Sequence, residues 1–238
     1  MSLEVNHINV LDKGYVRLIS TMGSDLDVVN AARVSYDKAS SLDENGKLRQ
    51  RDINLLEFLW NNEHTSPFRH CALSFEVYSP LMVARQHWKY TVASTFVDDQ
   101  NGWNESSRRY ITEEPSFFVP EVFRSAPENS KQGSGEPLSD LSNIFWNDSL
   151  REYISMGERL YQEALKANMC AEQARLFLPA YGMYVRYRWT TSLHGVLHFL
   201  AQRLGHDAQV EIQEYAKAVS QLVKINFPES YALAIGEK

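Results

Sequence analysis

The sequence predicts an α+β chain, a mixed α/β arrangement of short strands and long helices. Four short segments read as strands. The clearest, residues 71 to 79, sets Leu73, Phe75 and Val77 on one face and Ser74 and Glu76 on the other. Longer segments place apolar residues at helical spacing, most plainly between about 139 and 168 and between 207 and 225. A length of 238 residues, 44% hydrophobic and 23% charged, suits one large domain or one domain with an arm, and can bury a full core.

From the N-terminus, residues 4 to 10 and 15 to 20 are short strands around a turn at Asp12-Lys13-Gly14. Ser24 is the N-cap of a helix that Leu26, Val29, Ala32 and Arg33 carry toward Ser35 and Tyr36. Residues 37 to 49 have no period and form a polar loop. A second helix, about 51 to 62, spaces Ile53, Leu56, Phe58, Leu59 and Trp60 helically. His64 to His70 is a polar loop marked by Pro67. After the strand at 71 to 79, Pro80 opens a helix, since its missing N–H is not needed in a first turn. That helix runs through a polar loop into Asn104-Glu105-Ser106-Ser107-Arg108-Arg109-Tyr110.

Phe117-Phe118-Val119 is a short apolar segment, and residues 124 to 140 are a Ser/Gly/Pro-rich surface loop within a single domain spanning 1–238. The long amphipathic helix from about 139 to 168 carries Leu141, Ile144, Phe145, Tyr153, Met156, Leu160, Tyr161, Ala164 and Leu165. A short helix at 171 to 178 stops at Pro179, and residues 182 to 191 form a strand whose Arg186 and Arg188 share a basic face. A helix at 192 to 204 carries His194, His198 and Arg203. The last, 207 to 225, turns Val210, Ile212, Tyr215, Ala218, Leu222 and Val223 inward.

A formal net charge of -6 provides no general field for nucleic acid, although a local arginine cluster can still hold a small anion. Cys71 and Cys170 are too few for a disulfide framework and form no CxxC pair, so reduced thiols in a cytoplasmic setting are expected. The first residues lack a basic stretch followed by an apolar core, and no apolar run reaches the roughly 18 residues of a membrane span.

Three constellations bear on chemistry. The run 104 to 110 combines an amide, a carboxylate, hydroxyls and guanidiniums, as a phosphate and heterocycle site requires; a solvated loop would also accommodate it. His194 and His198 share a helix face as metal ligands do, but Gly195 stands where a zinc protease has its glutamate. They read as metal ligands of a hydrolase or, more simply, as packed histidines. No glycine-rich phosphate loop occurs, so a nucleotide must be held by side chains and helix ends, with Arg109, Arg175 and Arg203 in the most site-like surroundings. Neither cysteine has a recognisable nucleophile context.

Several separated segments together resemble the flavin-dependent thymidylate synthases. Met82-Val83-Ala84-Arg85-Gln86 followed by Asn104 to Tyr110 resembles the signature region of that family. Ala31-Ala32-Arg33-Val34-Ser35, His64-Thr65-Ser66-Pro67-Phe68, Ala174-Arg175 with Pro179, Trp189, Arg203, Ala208-Gln209 and Glu211-Ile212-Gln213 follow in the same order, over about residues 8 to 230. The chain departs from the pattern at Lys89-Tyr90-Thr91, where the family has Arg-His-Arg, and by an insertion at 92–103. Ser192, His194 and His198 fall where the family often has Asn, Arg and Asn, which points to a re-tailored cofactor pocket.

The resemblance implies the family's fold, with an antiparallel or mixed sheet and long helices, and a homotetramer with shared active sites. It implies FAD, NADPH as reductant, methylenetetrahydrofolate as carbon donor and dUMP as substrate, giving dTMP. By carry-over, Arg203 acts on the pyrimidine as the catalytic cation. Gln86, Lys89, Glu105, Ser107, Arg108, Arg109 and Arg175 hold the nucleotide with it. Ser35, His64, Ser66, Lys89, Tyr90, Thr91, Asn104, Glu105, Ser192, His194 and His198 line the flavin. No metal and no protein nucleophile are needed, because the cofactor supplies the hydride. The alternatives are a metal-dependent hydrolase built on His194 and His198, and a catalytically silent nucleotide-binding homologue.

Overall fold

Two strands with strict apolar alternation form the spine of the sheet: β3 (Ala72–Pro80) and β5 (Tyr184–Ser192). They pair antiparallel from Ala72↔Ser192 to Pro80↔Tyr184. In this computed structural model, residues 6–92, 102–108, 111, 113–128, 133–205 and 207–236 are described, at 90–92 by backbone alone. β1 (His7–Val10) and β2 (Gly14–Met22) extend the sheet beyond β3, with a bulge between Leu18 and Ser20. β4 (Gly102–Glu105) closes the other edge against β5, giving the order β1-β2-β3-β5-β4, antiparallel throughout. The mixed α/β fold with an antiparallel sheet and long helices is therefore as expected.

Leu73, Phe75 and Val77 of β3 and Val185, Tyr187 and Trp189 of β5 point into one core. That core is covered by α6 (Leu193–Arg203) and α7 (Val210–Asn226), which bury Val196, Leu197, Phe199, Leu200, Ile212, Tyr215, Val219 and Leu222. The opposite face carries Arg17, Arg186 and Arg188 outward, as an antiparallel sheet with one covered face permits. Gly14 must remain glycine, since an added Cβ would sit 1.9 Å from the Tyr215 hydroxyl, which bonds the Tyr78 carbonyl across the sheet.

α1 (Asp25–Arg33), α2 (Gln50–Asn61) and α3 (Leu81–Val92) match the expected helices closely. At Ser24 the expected cap is altered. Its hydroxyl donates to Asp27 Oδ2, and no side-chain bond reaches a backbone N–H. Pro80 ends β3 instead of opening α3, and the first helical N–H, that of Leu81, is satisfied by the Met183 carbonyl at 2.9 Å. The expected helix at 171 to 178 is only α5 (Ala171–Ala174) followed by a 3-10 turn at Arg175–Phe177, because Pro179 lies too near to allow another α turn.

Two elements were not anticipated, β4 and α8 (Pro228–Ile235). Proline at N1 starts α8, and the buried Asp25 caps it from α1: Glu229 N donates to Oδ2 at 2.9 Å, and Ser230 N and Oγ donate to Oδ1 at 3.1 and 2.5 Å. α4 (Asp140–Lys166) is as long as its pattern predicts, yet Leu141, Ile144, Phe145, Tyr153, Met156 and Leu160 of its apolar stripe are exposed. Only its C-terminal part packs, with Tyr161 and Ala164 joining Phe117, Ala174 and Leu178 in a small second cluster. Val210, expected inward, is also exposed at the first position of α7.

Candidate functional site

β4 exists because β5 offers it an edge. Asn104 pairs with Arg188 and Glu105 with Tyr187, and the chain beyond is tied to the same strand, with Ser106 N donating to the Arg186 carbonyl at 2.8 Å. Ser106 Oγ accepts from Arg186 N at 3.1 Å. This pairing delivers Glu105, Ser107 and Arg108 to the rim of a cleft of about 710 Å³. Arg175 reaches the same cleft from the turn after α5, its Nε held by the Glu172 carbonyl at 3.3 Å. The volume falls in the range of small-molecule sites.

Four of the residues predicted to hold a nucleotide thus meet in one place. Arg186 joins them, its guanidinium 6.0 Å from the centre of the Tyr78 ring. Arg108, Arg175 and Arg186 line the cleft together with Glu105, Glu113 and Glu114. Arg108 is oriented by donating Nη2 to the Glu113 carbonyl at 2.5 Å. The Glu105 carboxyl is pushed up by the protein around it, against the opposing pull of Arg85. Such a site suits a small anion that also carries hydrogen-bonding edges.

A second pocket, about 500 Å³, lies between the end of α2, the loop after it and α6. His64, His194 and His198 line it together with Trp60, Thr65 and Phe68. The His194 ring is 6.5 Å from that of Trp60, and His64 stands edge-on to Phe58 at 5.6 Å. Flat aromatic and imidazole surfaces with ring nitrogens suit a planar heterocycle with polar edges. Among the described residues, no group of three or more His, Cys, Asp or Glu side chains could hold a metal ion, so His194 and His198 gain no third ligand.

The remaining predicted residues are dispersed. Gln86 on α3 donates Nε2 to Gln209 Oε1 at the N-cap of α7. Ser192 is buried and caps α6, its hydroxyl accepting from Gly195 N at 3.1 Å. Ser66 begins a 3-10 turn beside the histidine pocket without lining it, and Ser35 is exposed in the turn after α1. Lys89 and Asn104 are exposed on α3 and β4. Arg203 ends α6, half-buried. The side chains of Tyr90 and Thr91, the whole of Arg109 and most of the inserted loop lie outside the described residues.

Sequence reasoning placed Arg186 on the basic face of a strand without assigning it to the site, and passed over Tyr78 and His87. Arg186 and Tyr78 join the site only through strand register, which alternation alone does not give.

Comparison with known proteins agrees in family and fold. The family model of the thymidylate synthase complementing protein matches residues 17–229. A flavin-dependent thymidylate synthase of Thermus thermophilus is 36% identical over 225 residues, covering 94% of this chain and 77% of that protein. One from Kosmotoga olearia is 34% identical over 224 residues, covering 94% and 91%. Among solved structures, a UMP/dUMP methylase from Streptomyces cacaoi bound with 5-Br dUMP superposes with a TM-score of 0.76 at 25% identity, over 95% of this chain and 96% of that one.

Proposed function

The chain belongs to the thymidylate synthase complementing protein family, that of the flavin-dependent thymidylate synthases, and from this premise we propose that it methylates dUMP reductively to dTMP. The family match across residues 17–229 carries the reading, and the cleft that gathers Glu105, Ser107, Arg108 and Arg175 supports it. Residues 1–238 act as one catalytic domain. Methylenetetrahydrofolate is the carbon donor and NADPH the reductant.

Arg108 and Arg175, which line the cleft, hold the phosphate and sugar together with Arg109, the next residue of the same run. Ser107 binds through its hydroxyl. Arg203 polarises the pyrimidine carbonyl edge, drawing charge so that C5 can attack the one-carbon unit. Cys71 is not a nucleophile: it is buried, and burial with the nearby Asp27 carboxylate pushes its thiol up to about 12.

The pocket of His64, His194 and His198 fits FAD by the flatness of its walls and its ring donors. Ser35, Ser66, Lys89, Tyr90 and Thr91 are the further residues proposed to contact it, and Ser192 holds the first turn of α6 beneath it. When bound, FAD supplies the hydride that completes the methyl group.

The exposed apolar stripe of α4 supports the homotetramer, since Leu141, Ile144, Phe145 and Tyr153 form the kind of surface that a second copy of the chain would cover. Among the described residues no helix is long and apolar enough to cross a membrane; the free thiols of Cys71 and Cys170 support a cytoplasmic reading.

Turnover tests the proposal. Purified protein given reduced flavin, methylenetetrahydrofolate and dUMP should yield a product of the mass of dTMP. A protein that binds dUMP but holds no flavin and forms no dTMP is instead the catalytically silent homologue.

A further inference from the structure

His87 is 2% exposed in the middle of α3 and touches three other elements at once. Its ring stacks on Phe199 of α6 at 4.5 Å. It meets Trp189 and Tyr187 of β5 edge-on at 4.2 and 5.7 Å, and Trp103 of β4 edge-on at 5.6 Å. Nδ1 lies 2.9 Å from the Tyr187 hydroxyl, while Nε2 is buried with no hydrogen-bond partner among the described residues. Phenylalanine would fill this aromatic box without desolvating two ring nitrogens, so packing alone does not explain a histidine.

The neighbours of His87 indicate what it does. Phe199 is one helical turn before Arg203, on the same face of α6. Trp103 immediately precedes Asn104 and Glu105, and its ring stacks on Tyr187 at 4.1 Å. Gln86, bonded to Gln209, is the adjacent residue on α3. We propose that His87 is a positioning residue which, through its Tyr187 hydrogen bond and its stack on Phe199, fixes Arg203 and the Glu105 end of β4 relative to each other for uridylate binding. The ring does this while neutral: burial, with the Arg203 guanidinium nearby, pushes its imidazole down to about 3, so it adds no competing cation beside Arg203. The groups facing it are the Tyr187 hydroxyl, the Trp103 and Trp189 indoles, the Phe199 ring and the Arg203 charge.

The inference rests on the uridylate reading, and the two can fail separately. Titrating FAD-loaded wild-type protein with dUMP, followed by the flavin spectrum, tests the reading: no binding removes it. The His87 proposal is tested by ranking variants. His87→Phe keeps the ring stack and loses the nitrogens; His87→Asn keeps a polar group near Nδ1 and loses the ring. Expected is His87→Phe at wild-type melting temperature or above, yet with dUMP affinity down about tenfold, and His87→Asn less stable and also weaker in dUMP affinity, having lost the stack on Phe199. If affinity instead follows stability, with His87→Phe binding as wild type, His87 is packing only and the proposal falls. A double variant with Arg203→Ala provides a second check. Affinity no worse than for Arg203→Ala alone is expected, and fully additive losses overturn action through Arg203.

Discussion

Asp52 is fully buried on α2 and holds the segment that leads away from α1. It accepts from Arg33 Nη2 at 2.6 Å and from Ser40 Oγ at 2.8 Å. Ser35, one of the residues proposed to face the flavin, lies between those two anchors. Asp52→Ala leaves the Arg33 guanidinium unpaired, a defect that in a fully buried pair costs about 3–5 kcal/mol. Two facts reduce that figure. The Arg33 side chain keeps 21% of its exposure, so water reaches the orphaned charge. Asp52 Oδ2 and Arg33 Nε have no partner among the described residues, so the native pair is not fully satisfied. A loss of about 2–4 kcal/mol results, or a melting temperature lower by roughly 4–16 °C for a chain of this size. Asn30 still clasps Ser40 through Oδ1 at 2.6 Å and Nδ2 at 3.2 Å, so the segment loosens without coming free, and FAD should be retained less well. Thermal melts with flavin absorbance measure both effects. Adding Arg33→Ala removes the stranded charge, so the double variant should be at least about 1 kcal/mol more stable than the sum of the single losses. Additive losses, or a melting temperature within about 1 °C of wild type for Asp52→Ala, would refute the clamp.

Asp25→Ala uncaps α8 and should cost about 2–4 kcal/mol in urea unfolding, with faster hydrogen exchange at the amides of Glu229 and Ser230; unchanged exchange would contradict the cap. Arg203→Ala should lower dTMP formation by at least ~100-fold with a wild-type circular dichroism spectrum, and near-normal turnover removes it from the mechanism. Cys71→Ala and Cys170→Ala should each keep turnover, and a dead variant that still binds FAD ends the nucleophile-free reading. Cys71 also makes a pH prediction. Its folded thiol is raised from 9.0 to about 12, so the unfolded chain loses that proton first, and stability falls as pH rises between those values. Cys71→Ala should flatten that alkaline loss, at up to about 1.4 kcal/mol per pH unit, and an identical slope in both proteins would show that the thiol does not cause it.

What was legible in the sequence follows from how each element is held. β3 and β5 are held by their own alternation, and α6 and α7 by their own apolar faces, so periodicity reveals them. β4 has four residues, one of them glycine, and is a strand only because β5 offers an edge. α8 has eight residues and depends on a carboxylate 205 positions earlier in the chain. Glu105, Ser107, Arg108 and Arg175, singled out by residue type, do gather at one cleft; the separation of that cleft from the histidine pocket was not legible, because strand order and helix docking decide it. His87 was the least legible of all, since between Gln86 and Trp88 nothing local marks a histidine that three other elements will enclose.

α4 shows what periodicity measures. Its apolar stripe is plain in the sequence, and much of it lies exposed in the single chain, with Leu141 at 81% and Phe145 at 60% of full accessibility. Selection on a helix face acts on the surface buried in the working state, which includes contacts between copies. On the proposed assembly, the N-terminal half of α4 is patterned for a neighbour, while its C-terminal half, through Tyr161 and Ala164, packs on its own chain. The same C-terminal half packs against Ala174 and Leu178, which flank Arg175. One helix thus joins the surface proposed for assembly to the residue proposed for phosphate, so a shared active site would form at the place where copies of the chain meet.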